Sequence, residues 1–438
     1  MANVYLVSLG CDKNRVDGEV MIGTLRNAGY KVSNEPDQAD AIIINTCGFI
    51  RDAVQESIDM VLELAAYKKE GNCRALVIVG CMAERYRKEI EETIPEADLI
   101  IGVGEYEKIS GALGELLNFG LLVKGFSDPY LLRLAAREDD AIPHVAYVKI
   151  SEGCDNCCTY CTIPAIRGAY RSRKPESILE ECKMLVDAGA KELVLVAQDT
   201  ALYKGLPELL REISTKTDAK WIRLMYAYPE HITQELITAM AEIPQVCKYI
   251  DMPIQHSETS VLQRMGRHGN REALLDLIRD LREKIPDIAI RTTLMVGFPG
   301  ETAQDFKNMY DFAQEVKFDR MGVFPYSQEE GTPAATMPNQ VKDGMKQSRM
   351  KRLMELQQKI HFAKQESYVG QTMSVIIDAK DDHSDDYVGR TQYDAHEVDA
   401  VVYVNAAAAK KLSPGQIVNV RITQAENYDL RGEYEPPQ

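Results

Sequence analysis

The sequence predicts an α/β protein of three parts: an N-terminal doubly wound parallel sheet, a partial (β/α)6 barrel, and a small C-terminal all-β barrel. Three observations predict it. Short β-branched runs alternate with helical stretches over the first 120 residues, the same alternation resumes with a longer period from about residue 143, and from Gln371 strands follow one another with no helix-length segment between them. A length of 438 residues is also too much for one hydrophobic core. The expected limits are 1–120, a linker over 121–142, 143–367 and 368–438.

In the first part the strands are "VYLVSL", "DAIIIN" and "ALVIV", followed by helical stretches such as "GEVMIGTLRNAGY" and "FIRDAVQESIDMVLELAAYKKE". Such alternation means a parallel sheet with helices on its faces. Barrel strands are expected at 145–150, 192–197, 222–226, 249–254, 289–297 and 321–326, and six such units fall short of a closed eight-fold barrel. An amphipathic helix over about 340–367 follows. In the tail, "MSVIID", "YVGRTQ", "VDAVVYV" and "IVNVRITQAEN" read as strands of an OB-like or related barrel.

Composition narrows the function classes. An apolar share of 45% with 27% charge is that of ordinary globular protein. No apolar run approaches the roughly 18 to 20 residues of a membrane span, and the start "MANVYLVSLG" lacks the basic region of a secretory signal, so a cytoplasmic protein without membrane contact is expected. There, ten cysteines are metal ligands or small buried hydrophobes rather than disulfides. A net charge of −16 argues against a surface that grips nucleic acid throughout.

The cysteines carry the chemistry. Four of the ten lie in "EGCDNCCTYC", and Cys154, Cys158 and Cys161 form a Cx3CxxC triplet just after the first barrel strand. Iron–sulfur clusters are held by thiolates, usually four. Three thiolates leave one iron open, as a catalytic site does and a structural one does not. Strand ends are also where β/α barrels place active sites. The competing reading, a four-cysteine zinc knuckle that includes Cys157, lacks the second CxxC pair such knuckles use. Cys157 itself could be a fourth ligand, a redox thiol or a bystander, and the bystander reading is preferred. Cys11, Cys47 and Cys81 each follow a strand end, at spacings of 36 and 34 residues that match successive βαβ units. They should converge beyond the carboxyl ends of one sheet. The alternative is three buried structural cysteines, the reading taken for Cys73, Cys182 and Cys247.

Cx3CxxC with an aromatic, Tyr160, before its last cysteine on a six-stranded partial barrel resembles the radical S-adenosylmethionine superfamily. The N-terminal trio, the barrel and a TRAM-like tail together resemble the methylthiotransferases across essentially the whole chain. The resemblance implies two 4Fe-4S clusters, one on Cys154, Cys158 and Cys161 that binds S-adenosylmethionine, the other on Cys11, Cys47 and Cys81. It further implies that one S-adenosylmethionine supplies a methyl group to a sulfur at the N-terminal cluster, while a second yields the radical that takes hydrogen from the substrate. A reductant such as flavodoxin or ferredoxin is implied as well.

"SLGCDKNRVDGE", "NTCGFIRDAVQESI", "RLMYAYPEHIT", "DMPIQHS" and "YSQEEGTPAA" resemble the RimO-type branch, which acts on the β-carbon of an aspartate in small-subunit ribosomal protein twelve. The tail fits that branch. From Gln371 it holds six Lys or Arg against twelve Asp or Glu, a net of −6 that suits a basic protein partner better than tRNA phosphates. Where Cys157 stands, family members often carry a basic or polar residue.

Other barrel residues are assigned more loosely. Gly297, Phe298 and Pro299 lie where the family approaches the adenine, and a strand-ending glycine turn explains them equally well. Gln198 follows the second strand, beside Asp199, as a candidate for the methionyl or substrate side. Arg291 is a candidate carboxylate partner, with a structural ion pair as the alternative. The rivals are tRNA adenosine methylthiolation and a non-catalytic two-cluster electron-transfer protein.

Overall fold

The computed structural model describes residues 2–118, 128–133, 144–405 and 411–436. The chain forms two units: Met1–Ala141 with Tyr147–Leu185 and Glu329–Thr332, and Ile142–Ala146 with Val186–Gln328 and Pro333–Gln438.

In the first unit, β1 (Asn3–Ser8), β2 (Lys31–Val32), β3 (Ala41–Thr46), β4 (Ala75–Gly80) and β5 (Leu99–Ile101) make a parallel sheet in the order β2-β1-β3-β4-β5. Alternate residues of each strand face opposite ways. Ile43, Val77 and Ile101 therefore pack with Met21, Leu25, Ile109 and Leu113 of the helices Asp12–Asn27 and Ile109–Leu117. Ile42, Ile44, Leu76 and Ile78 pack with Val61, Leu64 and Ile90 of Arg51–Ala65 and Arg87–Thr93. Both faces are covered, which makes the sheet doubly wound and explains why β3 and β4 read as unbroken apolar runs.

Of the expected linker 121–142, only 128–133 lies among the described residues. It holds a 3-10 turn, Pro129–Arg133, whose buried Arg133 pairs with Glu19 and Glu181. This unit also contains the end of β6 (Val145–Lys149), which begins in the second unit, and a short antiparallel pair, β7 (Ser151–Glu152) and β8 (Arg171–Ser172), that brackets the four-cysteine loop.

The second unit carries β9 (Glu192–Val196), β10 (Trp221–Leu224), β11 (Val246–Asp251), β12 (Ala289–Val296) and β13 (Arg320–Pro325), all parallel. With β6 the order is β13-β12-β11-β10-β9-β6, an open six-stranded sheet. Strand β11 lies three residues earlier than expected, because "MPI" contains Pro253, which has no N–H to give to the ladder. The helix expected at 340–367 is Asp343–Glu366.

The tail closes into a barrel of β14 (Thr372–Lys380), β15 (Tyr387–Thr391), β16 (Val402–Asn405), β17 (Ile417–Glu426) and β18 (Asp429–Glu435), in the order β14-β15-β16-β18-β17. Strand β18, "DLRGEYE", escapes an apolar pattern search because Leu430 is its only buried hydrophobic side chain.

Charges join this barrel to the strands beside it. Glu192 of β9 accepts from Arg223 Nε at 2.6 Å and pairs with Arg390 at 2.8 Å, and Arg390 also forks Asp378. Tyr249 donates to Asp399 at 2.8 Å, and Arg320 pairs with Asp394. Part of the tail's acidity is thus spent inside the protein.

Candidate metal centres

The three N-terminal cysteines end neighbouring strands, and the local sequence brings them together. Cys11 caps the helix that starts at Asp12, Cys47 follows β3, and Cys81 opens the short helix Cys81–Arg85 after β4. Each has a glycine beside it in sequence. A Cβ on Gly10 would lie 3.0 Å from the Cys47 sulfur, and one on Gly48 would lie 2.8 Å from the Cys81 carbonyl carbon and oxygen. Only a residue without a side chain lets these loops approach so closely. That signal was legible in "LGC", "TCG" and "VGC" and goes beyond the cysteine spacing.

Polar groups complete the setting. The Asn14 amide donates to the carbonyls of Leu9 at 2.9 Å and Thr46 at 3.0 Å, tying the ends of β1 and β3. Arg167, 3% exposed, donates to the Cys81 sulfur at 3.2 Å and to Asn14 Oδ1 at 2.7 Å. Its other nitrogen meets Asp17 at 2.9 Å and Glu152 at 3.1 Å, and Lys149 pairs with the same two carboxylates. Burial pushes the Cys81 thiol up to about 11 against the opposing pull of Arg167, and burial also raises the Cys47 thiol. Burial works against the Lys149 ammonium, but Asp17, Tyr130 and Glu152 outweigh it and hold the charge. The phenol oxygen of Tyr106, in the field of Asp17 and Arg167, is buried and has no hydrogen-bond partner among the described residues. Sequence reading missed Asn14, Asp17, Lys149 and Arg167, since a charge destined for burial looks like a surface charge until its partners are known.

Cys154, Cys158 and Cys161 are partly buried on the loop after β7, while Cys157 is exposed. The loop is pinned by backbone: Cys154 N–H donates to the Gly168 carbonyl at 3.2 Å, Cys161 N–H to the Cys158 carbonyl at 3.1 Å, and Ile163 N–H to the Cys161 sulfur at 3.4 Å. Tyr160 is half-buried on the same loop. Cys73, Cys182 and Cys247 are buried, and burial raises all three thiols.

In the second unit the residues expected near a cofactor fall into different settings. Gly297 has φ +74°, and its N–H and that of Phe298 both donate to Glu301, which Arg349 meets at 2.8 Å. Phe298 is buried edge-on to Tyr326, and the Pro299 carbonyl accepts from Arg264 at 3.3 Å. Burial pushes the Glu301 carboxyl up to about 7, against the pull of Arg349 and the two N–H groups. Gln198 is half-buried just beyond β9, and its neighbour Asp199 pairs with His231 at 2.6 Å. Arg291 is held by Asp251 at 2.8 Å and Asp399 at 3.6 Å, the structural ion pair weighed as its alternative role. Two imidazoles and a carboxylate also gather where the tail meets the start of β6: His144, Asp378 and His396. Arg390 takes both Asp378 oxygens there, and its charge opposes a cation.

Three family descriptions match this chain: the radical SAM superfamily over residues 148–313, Uncharacterized protein family UPF0004 over 3–102, and the TRAM domain over 369–434. Among solved structures, the radical S-adenosylmethionine methyltransferase TsrM from Kitasatospora setae, with cobalamin and a [4Fe-4S] cluster bound, aligns over 76% of this chain and 77% of its own at a TM-score of 0.56. At 15% identity it shows a shared fold. The ribosomal protein uS12 methylthiotransferase RimO of Clostridium tetani is 45% identical over 98% of this chain and 97% of its own length. That of Desulfitobacterium hafniense is 46% identical, covering 98% of each. With identity at this level along nearly the whole sequence, the chain belongs to the RimO family of radical S-adenosylmethionine methylthiotransferases.

Proposed function

We propose that this protein methylthiolates ribosomal protein uS12, at the β-carbon of an aspartate, in the cytoplasm and with an external one-electron reductant. Full-length similarity to RimO enzymes carries the reading. The donor sets suit iron–sulfur clusters: a trio of thiols at three strand ends with a guanidinium on one sulfur and an unsatisfied phenol nearby, and a second trio on one pinned loop. Cys154, Cys158 and Cys161 would hold the cluster that engages S-adenosylmethionine, and Cys11, Cys47 and Cys81 a second one.

A cluster with S-adenosylmethionine supplies one-electron chemistry, which a barely acidic C–H requires and acid–base groups do not provide. The protein's own part is placement. Gly10 and Gly48 let the N-terminal loops close on one another, and the hydrogen bonds of Cys154, Cys161 and Ile163 fix the second loop. Glu301 orients the two N–H groups of Gly297 and Phe298, the segment assigned to the adenine side. Gln198 is assigned to the methionyl or substrate side, and Cys157 to no ligand role.

The test is anaerobic reconstitution followed by iron analysis and mass spectrometry of both substrates. About eight irons are expected in the parent and about four in Cys11→Ala or Cys154→Ala, the count for one four-iron cluster per set. Recombinant uS12 should gain one methylthio group in place of one hydrogen. Modified tRNA adenosine beside untouched uS12 would overturn the substrate assignment.

A further inference from the structure

We propose that Arg167 is a positioning residue that fixes the Cys81 sulfur and sets the electron affinity of the cluster on Cys11, Cys47 and Cys81. This rests on the reading above that these cysteines hold a cluster. The geometry is that of a pre-set contact. Asn14 spends its amide hydrogens on Leu9 and Thr46, which leaves its oxygen facing Arg167. Asp17 and Glu152 hold the other guanidinium nitrogen. A planar fork fastened at these points fixes the direction of the second N–H on its Asn14-bound nitrogen, and that direction is the sulfur, 3.2 Å away. Lysine would supply the charge without the fork.

Placing a buried positive charge and a donor beside a cluster thiolate favours the reduced, more negative state, since hydrogen bonds to sulfur and local charge both tune cluster potentials. The same residue joins the two cysteine sets. Its neighbour Gly168 accepts the Cys154 N–H, and a Cβ on Gly153 would lie 2.1 Å from the Ala169 carbonyl oxygen, so only glycine allows the backbone to approach so closely there. One peptide link thus separates the side chain that touches Cys81 from the carbonyl that holds Cys154.

The experiment uses the full-length chain with Cys154, Cys158 and Cys161 all replaced by Ala, which isolates the N-terminal set. After anaerobic reconstitution, iron content, the electron paramagnetic resonance signal of the reduced cluster and its midpoint potential are measured for this background and for Arg167→Gln, Arg167→Lys and Arg171→Gln. Arg171 is exposed, and among the described residues its side chain donates to the backbone carbonyls of Ala169 and Arg167 and to no cysteine sulfur, so it controls for loss of a nearby charge. Arg167→Gln should lower the midpoint and alter the signal, Arg167→Lys should restore the midpoint in part, and Arg171→Gln should match the background. Failure of Arg167→Gln to load iron, with its apoprotein melting as the background does, also supports the proposal. An unchanged midpoint and signal in Arg167→Gln overturns it, as does an equal shift in Arg171→Gln. If Arg167→Gln does not fold, Arg167→Lys decides: an altered signal supports the contact and an unaltered one overturns it. A background protein that takes up no iron sinks the cluster reading itself.

Discussion

Each unit buries an ionic network, and the two are built differently. Around Cys81, the charges of Asp17, Lys149, Glu152 and Arg167 enclose a thiol that receives a guanidinium hydrogen and a phenol with no hydrogen-bond partner among the described residues. Around Glu192, Arg223 and Arg390 meet carboxylates and a carbonyl: Glu192, Asp378 and Gln392. Taking ions out of water is costly in both places. In the second network the return is a joint between two modules; in the first, charge is brought to a soft nucleophile. Buried ions alone therefore do not mark a reactive site. A sulfur within hydrogen-bond reach of a buried charge does.

Breaking the joint should give the largest effect. Glu192→Ala leaves Arg223 and Arg390 without their shared carboxylate, and the unfolding free energy of the second unit should fall by about 3 to 5 kcal/mol in denaturant titration. A loss below about 1 kcal/mol would show that water or other partners replace the pair. Gly48→Ala probes the other network. Its new Cβ meets the Cys81 backbone, so a loss of about 1 to 3 kcal/mol is expected from overpacking, together with loss of iron from the N-terminal set alone.

The joint should also respond to pH. Burial, then the charge of Arg390, lowers the His396 pKa below its usual 6.5. The unfolded chain then binds the extra proton first as pH falls below about 6.5, so stability drops in the acid direction. His396→Gln should flatten that slope, measured as melting temperature against pH. The smallest effect is expected for Cys157→Ala, which should leave iron content and stability unchanged. Loss of iron there would make Cys157 a ligand and redefine the second set.

The sequence carried the fold where patterns are local. Unbroken apolar runs announced β3 and β4, and the spacing of Cys11, Cys47 and Cys81 announced their shared position beyond one sheet edge. Long-range polar partnerships were not legible. Arg167 looks like any helix-end arginine until Asp17, 150 residues away, is placed beside it. Arg291 reads equally as a partner for a ligand carboxylate or as half of a structural ion pair until Asp251 and Asp399 are seen. Strand β18 failed a different test, because its partners on both sides, rather than its own composition, make it a strand.

That last strand also has a colloidal consequence. By pairing in parallel with β16 and antiparallel with β17, residues Asp429–Glu435 leave the C-terminal barrel without a bare rim of backbone donors and acceptors. Trimming the chain just after Asn427 would expose two rims at once, a template on which other copies can add strands. The charged peptide at the end of the barrel is thereby its guard against aggregation.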